Sequence, residues 1–93
     1  MTTLLTMAKR IIEEQELIIG PIAWNEAQKV DGMKVDYATR AIALDDDHSP
    51  ATIERLVHQY ERLFGRASLE VCKEAVRDII ADVPPEQVPA LLK

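Results

Sequence analysis

Apolar residues recur along residues 53–64 at intervals of three and four, the spacing of one face of an amphipathic helix. The members of this stripe are Ile53, Leu56, Val57, Tyr60, Leu63 and Phe64. Ser49 and Pro50 precede the stripe as a helix cap and a first-turn proline, and Gly65 follows it where helices commonly end. We therefore predict an amphipathic helix that stops at Gly65.

The same stripe occurs a second time, earlier in the chain. Gly20 and Gly65 are 45 positions apart, and subtracting 45 from each member of the first stripe gives a second set of positions that is apolar except for Gln15. These positions are Ala8, Ile11, Ile12, Gln15, Ile18 and Ile19. A burial pattern that recurs at a fixed offset indicates a repeated structural unit.

A further helical pattern follows each glycine. Pro21 can open a short helix after Gly20, and apolar residues continue the pattern from Leu69 to Ile80 after Gly65. Each copy is then a helix, a glycine break and a second helix, so we predict two tandem repeats at about residues 8–30 and 53–75. Whether Gly65 breaks or only kinks its helix stays open, because no proline follows it.

The connector between the copies, residues 31–48, holds a turn signal at Asp31-Gly32 and a short helical candidate from Tyr37 to Leu44. Pro84-Pro85 ends the last long helix, and a short C-terminal helix is expected from Glu86 to Leu92. No segment shows sustained strand alternation, so the predicted fold class is all-α: one domain, residues 1–93, forming a small helical bundle. The predicted core contains Ile12, Ile19, Leu56, Val57, Leu63, Phe64, Leu69 and Ile79.

Composition narrows the function classes. The net charge is −5 and the basic residues are scattered singly or in pairs, which argues against a nucleic-acid partner. Cys72 is the single cysteine, so the chain forms no internal disulfide and no Cys-based zinc site. No apolar run approaches the ~18 residues that a membrane span needs. We expect a cytoplasmic protein with no membrane partner and no cofactor.

Two clusters invite a chemical interpretation. Asp45, Asp46 and Asp47 precede His48, but consecutive residues rarely converge on one ion, and negative charge before a helix start complements the helix dipole. His58 invites comparison with histidine phosphotransfer domains, whose reactive histidine sits in a His-x-x-Lys-Gly pattern. Here Glu61 takes the lysine's place. We predict no metal site, no catalytic residue and no enzymatic activity.

Four further residues are expected either to pack in the core or to form charged contacts. Cys72 lies on an apolar stripe and Trp24 matches the apolar Leu69 under the repeat offset, so both are predicted in the core. Glu16 and Glu61 lie four residues before the two glycines, where a carboxylate faces the negative end of the helix dipole. Such charges serve either as repeated ion pairs or as repeated partner contacts.

The run Ile18-Ile19-Gly20-Pro21-Ile22-Ala23, with its weaker echo Leu63-Phe64-Gly65-Arg66-Ala67-Ser68, resembles an I-G-P-I-A element of small helical domains appended to bacterial signalling proteins. The resemblance covers about ten residues in each copy, and the second copy lacks the proline. It implies a regulatory or interaction role and transfers no catalytic residue.

Three hypotheses follow. The first is a non-enzymatic, self-associating interaction module in bacterial-type signalling. Its partner surface would include Leu17, which lies off the shared stripe, together with Glu16, Glu61, Asp45, Asp46 and Asp47, and these acids would suit a basic protein partner. A homodimer is the expected assembly. The alternatives are a histidine phosphotransfer-like domain that uses His58 and a small-molecule sensor with a pocket between the repeats.

Overall fold

The computed structural model describes residues 3–45, 50–89 and 92, and in these residues four α-helices surround one core beside a two-stranded sheet. The helices are α1 (Thr3–Ile19), α2 (Ile22–Ala27), α3 (Ala51–Phe64) and α4 (Arg66–Ile80). The strands are β1 (Met33–Asp36) and β2 (Ala41–Leu44), and a 3-10 helix covers Pro85–Gln87. No described helix is long and apolar enough to cross a membrane.

Both glycines end their helices in the left-handed region, with φ of +78° at Gly20 and +86° at Gly65. A residue with a Cβ is strained there, which is why glycine suits the position. In each case the glycine N–H donates to the carbonyl oxygen of a glutamate, Glu16 at 2.9 Å and Glu61 at 2.8 Å. Gly65 therefore breaks the helix, and α4 begins at the next residue.

Helices α1 and α4 pack side by side in opposite directions. Gln15, near the end of α1, donates to the carbonyl oxygen of Ser68 near the start of α4 at 3.1 Å. Arg10 reaches the carbonyl oxygen of Ala75, two turns further along α4, at 3.3 Å. Gln15 is buried although polar, and its hydrogen bonds offset the loss of water. The position predicted as the one polar member of the stripe thus faces the core.

The prediction of an all-α fold is wrong for residues 33–44, because the predicted helix from Tyr37 to Leu44 is the second half of a β-hairpin. The strands are antiparallel and pair Met33 with Leu44 and Val35 with Ile42. These four side chains face the core, whereas Lys34 and Ala43 are exposed. The alternation runs for four residues in each strand, so the pattern was too short to be read as a strand from one segment alone.

Gly32 allows the hairpin to approach α3. Its φ is +89°, and a Cβ at this position would lie 2.9 Å from Oγ1 of Thr52 and 3.0 Å from Nη2 of Arg55. Its carbonyl oxygen accepts a 2.8 Å hydrogen bond from the N–H of Asp45, which closes the hairpin at this end. Glycine therefore meets both a backbone and a steric requirement at this turn.

The predicted core is correct in its centre and wrong at one end. Ile12, Leu56, Val57 and Leu69 are buried, and Ile19 and Ile79 are partly buried against them. Leu63 and Phe64, however, are exposed. The first part of the predicted C-terminal helix, from Glu86 to Leu92, lies in a 3-10 helix that covers Pro85–Gln87, and residues 90 and 91 fall outside the described residues.

The two halves share the order helix, glycine, helix but differ in proportion. α2 has 6 residues, whereas α4 has 15. Helix α4 packs along both α1 and α3, and α2 packs against α1, α3 and the hairpin. The prediction of a mostly helical domain is confirmed, whereas the interpretation as two tandem repeats stays a prediction.

Candidate protein-binding surface

The two apolar stripes leave the core at the same point, the last helical turn before each glycine. On α1 the stripe residue Ile18 is 64% exposed although Ile19 after it is partly buried, and on α3 the stripe residues Leu63 and Phe64 are 47% and 38% exposed. Large apolar side chains in water are individually common, but a cluster of them marks an interaction surface. We define the apolar end as the exposed residues beside the two glycines: Leu17, Ile18, Ile22, Leu63 and Phe64.

Hydrogen bonds place these residues at one end of the bundle. The contact from Gln15 to Ser68 brings the last turn of α1 beside the start of α4, which follows Phe64 directly. The hydroxyl group of Tyr60 donates to the carbonyl oxygen of Ala23 at 2.6 Å, so the last turn of α3 lies beside the start of α2. The apolar end therefore contains residues from α1, α2 and α3.

A shallow groove between α1 and α4 adjoins this surface. Its cavity volume is about 360 Å³, and Ile18 and Val71 contribute apolar side chains to it. Three glutamates complete the lining: Glu14, Glu70 and Glu74. Glu70 and Glu74 also pair along their own helix with Lys73 at 3.9 Å and Arg77 at 2.5 Å. An acidic rim around apolar side chains suits a basic, amphipathic segment.

Glu16 forms an ion pair instead of facing solvent. Its carboxylate accepts hydrogen bonds from the guanidinium group of Arg40 at 2.5 and 3.4 Å. This hydrogen bonding from Arg40 is the largest cause that lowers the pKa of Glu16 below its ordinary value, and burial opposes it. The pair joins α1 to the hairpin turn. Of the two roles predicted for Glu16, the geometry supports the ion pair.

Arg40 also covers the only tryptophan of the chain. Its guanidinium carbon lies 4.8 Å from the ring centroid of Trp24 and 6.0 Å from that of Tyr37. Trp24 is fully buried, as predicted. Its indole N–H has no partner of hydrogen-bond geometry among the described residues, yet it lies close enough to Glu16 to help lower that carboxyl pKa. Arg40 accepts a left-handed φ of +58° at this turn.

The remaining predicted partner residues differ in their positions and contacts. Glu61 is partly buried, and its carboxylate lies 3.8 Å from Nδ1 of His58 on the same helix. Asp45 is exposed at the hairpin end that meets the start of α3, the opposite end of that helix from Phe64. Asp46 and Asp47 fall outside the described residues. The structure thus leaves Leu17, at 80% exposure, as the most exposed large apolar residue of the set.

Cys72 is buried, as predicted, and is no nucleophile in this setting. Burial raises the pKa of its thiol to about 11, and a hydrogen bond from Gln15 to the sulfur at 3.4 Å only partly opposes this. At neutral pH the group is therefore a thiol, the unreactive form. Among the described residues no three His, Cys, Asp or Glu side chains are grouped as a metal site would require.

Ile18, Ile22, Leu63 and Phe64 were missed as surface residues because helical periodicity assigned three of them to the core. The usable signal was their position, since all four flank a glycine break.

Comparisons with protein-family models, with curated protein sequences and with solved structures give no match. The surface itself therefore carries the functional argument.

Proposed function

We propose that this protein is a non-enzymatic interaction module that self-associates through its apolar end. One observation supports this most directly. Leu17 is 80% exposed, and the stripe residues Ile18 and Leu63, which are equivalent under the offset of 45, are exposed at the same end of the bundle. Water contact with such a cluster is unfavourable by roughly 25 cal/mol per Å² of apolar area, so covering it stabilises an assembly.

The partner that we propose for this surface is a second copy of the chain. The apolar end is made of five large apolar side chains, and a twofold axis would bury the same surface of both copies against each other. The net charge of −5 opposes approach at longer range. Salt screens that repulsion, so we expect self-association to strengthen as ionic strength rises.

The acidic groove between α1 and α4 extends the proposal to a second partner. Once two apolar ends are paired, Glu14, Glu70 and Glu74 would remain as the rim on which a basic protein segment binds. A bacterial signalling role, as the I-G-P-I-A element implies, agrees with an acidic regulatory module of this kind. Cytoplasmic residence and descent from two tandem repeats belong to the same proposal.

Light scattering across a range of protein concentrations tests self-association. The wild-type protein should form particles of two chains, and Leu17→Glu should shift them to monomers because it places a charge on the surface to be buried. Ala81→Glu is the matched control, since it adds the same charge at an exposed position beyond the far end of α4. A compact wild-type monomer at every concentration would refute the proposal.

A small-molecule sensor is a second candidate function, for a specific reason. A cavity of about 450 Å³ lies between the end of α2 and the exposed face of α3, which belong to different copies in the predicted repeat. That volume falls within the usual range for small-molecule sites. His58 lines this cavity, whereas Glu61 beside it disfavours a phosphohistidine.

A further inference from the structure

The cavity beside α3 collects basic side chains that are distant in sequence. Lys29, Arg55 and Arg62 line it, with His58 between the two arginines and Asp31 as the one carboxylate of the lining. Three cations, set against Asp31 and against the Glu26 carboxylate that pairs with Lys29 behind the wall, leave a formal charge of +1 when His58 is neutral. The cavity is therefore positively charged although the whole chain has a net charge of −5. A positively charged cavity attracts anions.

Helical geometry aligns the residues from α3. Arg55, His58 and Arg62 are separated by three and four positions and therefore share one face of the helix. Seven residues span about 10 Å along a helix axis, so the two guanidinium groups can contact separate parts of one ligand. The wall facing them comes from the segment after α2, residues 29–31.

Neutral partners hold both arginines in place. Arg55 donates from Nε to the carbonyl oxygen of Asp31 at 3.1 Å and from Nη2 to the hydroxyl of Thr52 at 3.0 Å. Arg62 donates from Nη2 to the amide oxygen of Gln59 at 2.9 Å. A guanidinium group has five N–H donors, so these bonds orient each group while others stay available. Such acceptors position the groups without neutralising their charge.

Lys29 is held differently. Its ammonium group pairs with the carboxylate of Glu26 at 3.0 Å, and Gln59 donates to the other carboxylate oxygen at 2.8 Å. The hydrogen bond from Lys29, then that from Gln59, lowers the pKa of Glu26, so this 6% exposed carboxylate stays charged behind the cavity wall. Glu26 thereby ties α2 to α3 and fixes the width of the cavity.

We propose that this cavity binds a small polyanion with two or more linked phosphate groups. Arginine presents a planar fork that matches phosphate oxygens in pairs, and two such forks on one helix face, seven residues apart in sequence, suit a ligand that carries more than one phosphate group. No Phe, Tyr or Trp side chain is among the described lining residues, so the phosphate groups supply the main part of the recognition. This site is separate from the apolar end and does not depend on self-association.

The test is a titration of the ¹⁵N-labelled full-length chain, followed by amide chemical shifts. Pyrophosphate and tripolyphosphate should give saturable shifts concentrated at residues 29–31 and 55–62. Inorganic phosphate should bind more weakly because it engages one arginine, and citrate should bind more weakly because its carboxylates lack the phosphate geometry. Leu17→Glu should bind pyrophosphate like the wild type, which separates this site from the apolar end.

Paired variants sharpen the test. Arg55→Gln/Arg62→Gln should weaken pyrophosphate binding by about tenfold or more, because it removes two charged donors. The matched control is Arg66→Gln/Arg77→Gln, which removes the same charge from the exposed surface of α4 and should leave binding nearly unchanged. If the first pair melts early, Arg55→Lys/Arg62→Lys keeps the charge and should still weaken binding by removing the fork.

Three results would overturn the proposal. The first is an absence of shifts at residues 55–62 up to millimolar pyrophosphate. The second is equal loss of binding in the α4 control, which would show a general charge effect. The third is binding of citrate as tight as that of pyrophosphate, which would remove the assignment to phosphate.

Discussion

The hydroxyl group of Tyr60 on α3 donates a 2.6 Å hydrogen bond to the backbone carbonyl oxygen of Ala23 on α2. Both residues are fully buried. The bond links the segment after Gly20 to the segment before Gly65, so it helps to set how the two halves of the chain meet. Burial, as the largest cause, raises the pKa of Tyr60, which keeps the hydroxyl protonated as a donor.

Tyr60→Phe should lower the free energy of unfolding by about 0.5–1.5 kcal/mol, because the buried hydrogen bond to the carbonyl oxygen of Ala23 would be lost while that oxygen keeps its place in helix α2. Urea unfolding followed by circular dichroism measures the change. Tyr37→Phe is the control, since Tyr37 is 43% exposed and should change stability by less than about 0.5 kcal/mol. Equal effects at the two positions would remove the hydrogen bond as the cause.

Phe64→Ala should affect assembly more than folding. Phe64 is 38% exposed, so we expect a loss of about 1 kcal/mol in unfolding free energy, against about 2–5 kcal/mol for Leu56→Ala in the buried centre. Light scattering of Phe64→Ala should show weaker self-association. A loss from Phe64→Ala as large as that from Leu56→Ala would return Phe64 to the core.

The helices could be predicted from periodicity, but the extent of burial along them could not. Ile53 and Leu63 belong to one stripe, and only Ile53 is buried. Periodicity states which face of a helix is apolar, whereas burial depends on where the neighbouring helices end. Helix α3 continues to Phe64, whereas the neighbouring helix α2 has only 6 residues. The last turn of α3 is therefore not covered by α2.

The basic cavity was not predictable from the chain for a related reason. Lys29, Arg55 and Arg62 are scattered in sequence, and that scatter argues only against a nucleic-acid partner. Their proximity requires the end of α2 to lie beside α3, which the bond from Tyr60 to Ala23 and the bond from Gln59 to Glu26 establish. Tertiary contacts of this kind leave no local pattern.

Cys72 should make stability depend on pH in the alkaline range. Its thiol pKa is about 11 in the folded chain against an ordinary value of 9.0, so the folded state binds more protons between these values. Stability should therefore be unaffected below pH 9 and fall as pH rises toward 11, by roughly 2 kcal/mol. Urea unfolding at several pH values measures the slope. Cys72→Ala should flatten the slope between pH 9 and 10, whereas the raised pKa of Tyr60 still lowers stability above pH 10. An unchanged slope between pH 9 and 10 would contradict the assignment to Cys72.

Arg40→Ala should expose Trp24 and loosen the hairpin turn. The fluorescence of Trp24, the single tryptophan, should shift to the red as its ring loses the guanidinium cover. The pKa of Glu16 is lowered mainly by its hydrogen bond to Arg40, so this stabilisation is present above the unfolded pKa and disappears as pH falls.

The melting temperatures of wild type and Arg40→Ala should consequently differ at about pH 7 and converge near pH 3. Arg66→Ala, at an exposed arginine on α4, serves as the control and should leave the fluorescence unchanged. A constant difference in melting temperature over this pH range would mean that Arg40 acts through packing alone.

The pairing of α1 with α4 has a consequence for biosynthesis. The first helix finishes at Ile19, but its principal helical neighbour is complete only at Ile80, so its apolar face emerges from the ribosome well before the surface that covers it. The side chains of Met7, Ile11 and Ile12 would stay exposed to water while about 61 further residues are translated, the number between the end of α1 and the end of α4 (80 − 19 = 61). A nascent chain of this order is a natural client for a chaperone that shields apolar helices until the last one arrives.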